Sequence, residues 1–146
     1  MIGTDKSAKP DRASLVQGDI RLLVTRMKNK TYALVYRAVV PGTKEKVPFS
    51  FPCRTVYFHK VDDVSSQVEL AGRDGAYEFS IPLAVLGLKP EPGMTIKVDV
   101  GVLRGNGFQT TQRVDWNNKA AGITADVPSE AELTPALWGK WEFGDR

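Results

Sequence analysis

The stretch "TIKVDVGVL", residues 95–103, decides the fold class of this chain. Apolar side chains occupy every second position: Ile96, Val98, Val100 and Val102. Because side chains on a β-strand alternate between the two faces of the sheet, this pattern predicts a strand with one face in the core. Lys97, Asp99 and Gly101 are expected on the opposite face.

Strands of the same kind are predicted on both sides of this one. They cover "DIRLLVTRM" (19–27), "TYALVYRAVV" (31–40), "TVYFHKV" (55–61), "SQVELA" (66–71), "AYEFSIP" (76–82), "FQTTQRVDW" (108–116) and "LWGKWEF" (137–143). The apolar stripe of the first is Ile20, Leu22 and Val24, and that of the second is Tyr32, Leu34, Tyr36 and Ala38. The polar link "KNK" at 28–30 predicts a hairpin between these two strands.

One segment is a helix candidate, "PLAVLGL" at 82–88. Pro82 suits its first position, and Gly87 suits the end of one or two turns. Short strands at regular spacing with so little helix predict an all-β fold, an antiparallel β-sandwich of the jelly-roll or immunoglobulin-like kind. We expect residues 1–17 to be a polar leader or linker and residues 18–146 to form a single β-sandwich domain.

The composition narrows the classes of function. A chain of 146 residues is long enough to bury its own core, and an apolar fraction of 42% is that of an ordinary soluble domain. The net charge is only +3 and the basic residues form no runs, which argues against a nucleic-acid surface. No apolar run approaches the roughly 18 residues of a membrane span, and the first twenty residues lack the apolar core of a signal peptide. We expect neither nucleic acid nor membrane as a partner, and the localisation stays open.

Few residues suit catalysis or transition-metal binding. His59 and Cys53 are the sole histidine and cysteine, so a single chain does not supply a three-histidine or Cys/His zinc site. His59 fits a surface position on a strand better than a catalytic base. The nucleophile motif G-x-S-x-G is absent from the sequence. No catalytic residue is therefore assigned.

All three tryptophans stand in one segment, at positions 116, 138 and 141. Polar side chains surround the first of them in sequence: Gln112, Arg113, Asp115, Asn117 and Asn118. Sugar rings present C–H faces to an indole, while their hydroxyl groups seek polar partners of this kind. Trp116 is thus a candidate sugar contact, and a core tryptophan at the end of the sandwich is the alternative. Arg104 is a further candidate for a ligand hydroxyl or carboxylate, and it fits a solvated loop equally well.

Three motifs carry a resemblance to a known family. They are "YEFSIPLAVLGLKPEPGMTIKVDVGVLRG" (77–105), "VDWNN" (114–118) and "LTPALWGKWEF" (133–143). Over about residues 75–143 the chain resembles the C-terminal part of the family 9 carbohydrate-binding modules and their DOMON-like relatives. The resemblance implies a β-sandwich that binds sugars, often with structural calcium, as an appendage of a secreted glycoside hydrolase. Its closing motif implies that Trp138 packs in the core and that Trp141 is exposed to ligand.

The front of the chain departs from that family. The early strands, with their own aromatic and acidic residues, are not recognisable before Gly18. A missing strand leaves an open sheet edge, which favours homodimerisation through that edge.

Calcium is the cofactor that the carboxylates allow. Asp62, Asp63, Asp99 and Asp115 offer the hard oxygen ligands that Ca²⁺ takes. None of them follows the EF-hand spacing, and aspartates at turns explain the same pattern.

Two functions of different classes follow. The first is a noncatalytic module that binds an oligo- or polysaccharide through the Trp116 face. The alternative is a small Ca²⁺-dependent hydrolase that opens a reactive ester such as an acyl-homoserine lactone, with Asp62, Asp63 and His59 as candidate catalytic groups. Because calcium activates water poorly compared with zinc, such a substrate has to be intrinsically reactive. A third interpretation is an accessory domain without a ligand of its own.

Overall fold

The computed structural model describes residues 1–50, 55–106, 110–119 and 133–144. In these ranges the strands are β1 (Ile2–Gly3), β2 (Asp19–Met27), β3 (Lys30–Arg37), β4 (Val47–Ser50), β5 (Thr55–Phe58), β6 (Lys60–Asp63), β7 (Glu69–Arg73), β8 (Ala76–Ser80), β9 (Thr95–Val98), β10 (Gly101–Gly105), β11 (Thr110–Asp115) and β12 (Gly139–Glu142). The helix α1 covers Leu83–Leu86, and short 3₁₀ turns cover Ser65–Gln67 and Pro135–Leu137. No helix in the described ranges is long and apolar enough to cross a membrane.

The strands form one large antiparallel sheet and three hairpin-like pairs. The large sheet has the order β12-β9-β1-β2-β3-β6, and the pairs are β4–β5, β7–β8 and β10–β11. Every pairing between neighbouring strands is antiparallel. The predicted all-β fold with sandwich-like antiparallel sheets is confirmed.

The hairpin between β2 and β3 forms as predicted, with Met27 opposite Lys30. Lys28 and Asn29 have φ values of 48° and 64°. Two consecutive residues with positive φ are the mark of a type I′ turn, whose twist matches that of the strands it joins. The chain therefore reverses within two residues at this point.

The register of this hairpin explains why both faces of the large sheet are buried. Arg21 lies opposite Tyr36 and Leu23 lies opposite Leu34, so the apolar stripes of β2 and β3 point to opposite faces. One core, on what we call the α1 face, contains Ile20, Ala33, Val35, Val64, Val68, Leu86, Leu88, Ile96 and Val98. The second core, on the opposite face, contains Tyr36, Ala38, Phe58, Leu133 and Trp138.

The helix candidate at 82–88 is confirmed as α1. Gly87 ends it with φ 73°, in the left-handed conformation, and its N–H bonds to carbonyl groups of the helix. Glycine adopts this conformation without steric cost, which makes it a frequent helix terminator. Leu86 and Leu88 then reach the core on the α1 face.

The predicted strand at 95–103 is wrong in one respect, because it is two strands. β9 ends at Val98 and β10 begins at Gly101 in a different sheet. Asp99, expected on the outer face, is fully buried, whereas Val100 and Val102 are 42% and 46% exposed. The chain leaves the large sheet here because Asp99 bonds to the backbone of a segment further along, as described below.

The predicted strand at 55–61 also divides. β5 pairs with β4, which the sequence pattern did not indicate, and β6 pairs with β3. At the junction, the N–H of His59 donates to the carbonyl of Arg37 at 3.0 Å. His59 is thus the point at which the chain moves from a small sheet to the large one.

The start of the chain contributes to the large sheet. Ile2 and Gly3 form β1, which lies between β2 and β9. Arg12 forms a buried ion pair with Asp19 of β2, and the same carboxylate accepts the N–H of Val16 at 2.9 Å. These residues of the segment interpreted as a leader are therefore packed against the sheet.

Candidate functional site

Two tryptophans form an exposed aromatic pair at the edge of the large sheet. The side chains of Trp116 and Trp141 are 49% and 45% exposed. Their ring centroids are 6.2 Å apart and their planes are inclined at 58°. Trp138 is only 1% exposed and lies in the opposite core, as the closing motif implied. The three indoles therefore divide into one packing residue and one surface pair.

Gly139 makes room for this pair. It lies opposite Val98 and Trp141 lies opposite Ile96, which places Gly139 and Trp141 on the α1 face of edge strand β12. A Cβ atom on Gly139 would overlap Cζ3 of Trp116 and stand 2.7 Å from its Cη2. The indole of Trp116 thus occupies the space that a side chain at 139 would need. The missing side chain lets Trp116 lie against the strand beside Trp141.

A buried carboxylate fixes the backbone that carries Trp116. Asp99 is fully buried, and its carboxylate accepts the N–H groups of Val100 at 3.0 Å, Asn117 at 2.9 Å and Asn118 at 3.0 Å. The N–H of Trp116 itself donates to the carbonyl of Val100 at 2.8 Å. Hydrogen bonds to a buried carboxylate are among the stronger ones in proteins. The segment 116–118 is therefore held to the start of β10.

Polar groups border the aromatic pair. The side-chain amide of Asn117 donates to the carbonyl of Leu137 at 2.8 Å, which ties it to the turn before β12. The Asn117 side chain is exposed, and its amide oxygen has no partner among the described residues. The ammonium of Lys119 donates to the carbonyl of Trp116 at 2.8 Å. The amide oxygen of Asn117 is thus an acceptor held in place beside an indole.

The other predicted site residues of the β10–β11 pair lie on two different faces of this hairpin. Arg104 lies opposite Gln112, Val102 opposite Val114, and Gly101 opposite Asp115. Because faces alternate along a strand, Gln112 and Arg104 share the face of Trp116, together with the two valines. Arg113 and Asp115 lie on the other face of this hairpin. Of the four hairpin residues predicted as ligand contacts, Arg104 and Gln112 therefore lie on the same face as Trp116.

The same face carries a continuous apolar strip. The strip runs from the directly opposed pair Val102 and Val114, through Val100 and Trp116, to Trp141. All five side chains are exposed by more than a third. Contiguous exposed apolar surface on a folded protein usually marks a binding surface.

The residues of the hydrolase hypothesis lie elsewhere, on and beside β6. The Asp62 carboxylate bonds to Nε of Arg37 at 2.8 Å and to Nζ of Lys60 at 2.7 Å. Burial raises the pKa of Asp62, but the hydrogen bonds from Lys60 and Arg37 outweigh it and leave the pKa below its ordinary 3.8. Asp63 accepts the N–H and hydroxyl of Ser65 at 2.9 and 2.5 Å, and these bonds lower its pKa.

His59 and three of the metal-ligand candidates are engaged by neighbouring groups in the described part of the chain. Nδ1 of His59 accepts the N–H of Val40 at 3.1 Å. Asp62 and Asp63 point to opposite faces of β6, and Asp99 is engaged by three backbone groups. No group of three or more His, Cys, Asp or Glu side chains there is placed to hold a metal ion.

Two features of the site escaped the sequence interpretation. Nothing in the sequence around Gly139 indicated that Trp116 packs against it. Asp99 fitted the outward-facing position of an alternating strand, whereas the structure buries it. The one available signal for Asp99 was its position just before the glycine at 101, where a strand is easily interrupted.

Comparison with known proteins identifies no relative. No protein-family model, no curated protein and no solved structure matches this chain. The resemblance to family 9 carbohydrate-binding modules therefore stands on the three quoted motifs alone.

Proposed function

We propose that this chain binds carbohydrate, without transforming it, on the surface formed by Trp116 and Trp141. The observation that carries the proposal is the exposed indole pair, in which Trp116 lies against Gly139 and contacts Trp141. An indole is a large apolar group with one polar N–H, which suits a ligand that is apolar on its ring faces and polar at its edges. Sugars have this character.

The polar border supports the same class of ligand. The amide oxygen of Asn117 accepts a hydroxyl, while Arg104 and Gln112 on the same face of the hairpin as Trp116 offer donors and a further acceptor. Because Asn117 is tied to Leu137 and its backbone to Asp99, little conformational entropy is lost when a ligand binds. The site is preorganised.

The angle between the indoles selects among sugars. Planes inclined at 58° do not lie together on one flat surface. A ligand that contacts both rings presents two inclined C–H faces, as successive rings of a twisted chain do. The geometry favours a soluble oligosaccharide over the flat face of a crystalline polysaccharide.

We propose that the hydrogen bonds of Asp99, rather than a metal ion, hold the tryptophan surface in place. The carboxylates of Asp62 and Asp99 already accept hydrogen bonds from Arg37, Lys60 and backbone N–H groups. Treatment with EDTA is expected to leave the affinity unchanged. A loss of affinity that added Ca²⁺ restores would instead bring calcium into the site.

Isothermal titration with soluble xylo-, cello-, laminari- and malto-oligosaccharides tests the proposal. We expect one series to bind, Trp116→Ala to weaken it about tenfold or more, and the sugar to be recovered intact. Phe79→Ala is the matched control, because Phe79 is an aromatic residue of similar exposure on a different hairpin. Equal affinity in Trp116→Ala and the wild type, or no binding in any series, would contradict the proposal.

A further inference from the structure

A concave surface lies at the end of the large sheet where β1 ends, β2 begins and β3 ends. It is a cleft of about 380 Å³, within the usual range of small-ligand sites. Its apolar part comes from Ile20 and Leu86, which are buried, and from Val39, Val40 and Pro41. It shares no residue with the tryptophan surface.

Arg37 lines this cleft in a fixed orientation. Its Nε donates to Asp62 at 2.8 Å and its Nη2 donates to the carbonyl of Val85 at 2.9 Å. A guanidinium group has five N–H donors, so these two bonds leave three for a ligand. The planar fork of an arginine matches the two oxygens of a carboxylate.

Asp5 lines the same cleft with the opposite charge. Its carboxylate accepts the N–H and the hydroxyl of Ser7 at 2.8 and 2.6 Å. These bonds lower the pKa of Asp5 below its ordinary 3.8. Within the described residues, Arg37 is paired with Asp62 and not with Asp5. Arg37 and Asp5 therefore both line the cleft, and each is bonded to a neighbour other than the opposite wall.

The wall that carries Asp5 is anchored. The N–H and the hydroxyl of Thr4 both donate to the carbonyl of Gly18, at 2.9 and 3.1 Å. Gly18 has φ +95°, and a Cβ there would lie 2.7 Å from Oγ1 of Thr4. Glycine at 18 thus permits the close approach that sets the position of Thr4 and Asp5.

We propose that this cleft binds a small zwitterion of the free amino-acid class. The ligand carboxylate bonds to Arg37, its ammonium group bonds to Asp5, and its apolar side chain packs on Ile20 and Leu86. A ligand that carries only a carboxylate is repelled by the negative charge of Asp5. A ligand that carries only an ammonium group is repelled by the positive charge of Arg37. A molecule that carries both charges satisfies both walls, and Gln17 adds an amide that bonds to either end.

The first test is a thermal-shift screen of the full chain with the twenty free amino acids, because a ligand of the folded state raises the melting temperature. The strongest is then titrated against two analogues with the same side chain, one lacking the amino group and one lacking the carboxylate. We expect the zwitterion to bind about tenfold or more tightly than either analogue. No stabilisation by any amino acid, or equal affinity for an analogue, would overturn the proposal.

Variants then locate the site. Asp5→Asn removes the charge at an exposed position, and we expect it to weaken the zwitterion about tenfold while improving the relative affinity of the analogue that lacks the amino group. Gly18→Ala is expected to displace the Asp5 wall and weaken binding without any change in charge. Asp74→Asn, at an exposed turn, is the matched control and is expected to bind as the wild type does. Unchanged binding in Asp5→Asn contradicts the assignment.

Trp116→Ala separates this inference from the proposed function. The two sites share no residue, so the variant is expected to lose the sugar and retain the amino acid. A loss of amino-acid binding in Trp116→Ala would place that ligand on the tryptophan surface and refute the cleft site.

Discussion

The large sheet and the β10–β11 hairpin show the same alternating sequence pattern with opposite results. In β3 the alternating side chains Ala33 and Val35 are fully buried, and Tyr36 on the other face is buried too. In β10 all five residues are exposed, including Val102 and Leu103. The pattern is the same because both segments are strands. The difference is whether other elements cover the two faces, and in β10 apolar side chains stay exposed on both of them, Val102 on one and Leu103 on the other.

The largest expected effect concerns the buried charges of the large sheet. Asp19→Ala leaves the guanidinium of Arg12 buried without its partner, which costs about 3–5 kcal/mol of unfolding free energy. Urea denaturation measures it. Glu91→Ala, which breaks the exposed pair with Lys6, is the control and is expected to cost about 0–1 kcal/mol. Similar losses in the two variants would mean that burial does not distinguish these ion pairs.

A pair of matched valine truncations tests the comparison itself. Val35→Ala removes two buried methyl groups and leaves a cavity, at a cost of about 2 kcal/mol in the free energy of unfolding. Val102→Ala on the exposed hairpin is expected to change it by about 0.5 kcal/mol or less. Equal costs would show that Val102 is covered in solution, by a second copy of the chain or another partner. Sedimentation analysis of the wild type then tells these two apart.

What the sequence could predict follows from the range of the interactions involved. The turn at Lys28 and Asn29 and the helix ended by Gly87 depend on neighbouring residues, and both were predicted correctly. The break after Val98 depends on Asp99 bonding to Asn117 and Asn118, which are 18 and 19 residues further on. Periodicity within a window of nine residues contains no trace of such a contact.

The candidate site follows the same rule. Trp116 with its asparagines was recognisable as a group because the residues are adjacent in the chain. The contact of Trp116 with Gly139 and Trp141 joins two strands of different sheets, so no local pattern indicated it. Residue types were predictable, and the surface that they form was not.

Asp99 connects the two regions, since it ends the part of the chain in the large sheet and positions the exposed tryptophan. Asp99→Asn replaces an oxygen acceptor by an N–H₂ group that faces backbone N–H donors, and we expect it to cost about 1–2 kcal/mol of unfolding free energy. Release of segment 116–118 also weakens the proposed sugar binding, although Asp99 touches no ligand. Titration of the folded variant checks this, with Asp63→Asn as a control distant from the tryptophans. Full sugar affinity in Asp99→Asn would mean that the indole pair keeps its geometry without the hydrogen bonds from the backbone N–H groups to Asp99.

The smallest effect is expected at the exposed edge strand of the large sheet, where Asp62 pairs with Arg37 and Lys60. The pKa of Asp62 is lower in the folded chain than the ordinary 3.8, so its contribution is present above that pH and is lost as the pH falls through the folded value. Both partners are partly exposed, which limits the contribution to about 0.2–1 kcal/mol. The melting temperature of the wild type should exceed that of Asp62→Asn at pH 6, and the difference should shrink below about pH 4 and close as the pH falls through the lower folded pKa of Asp62. If the difference instead persisted unchanged at low pH, packing of the Asp62 side chain rather than its charge would stabilise this edge strand.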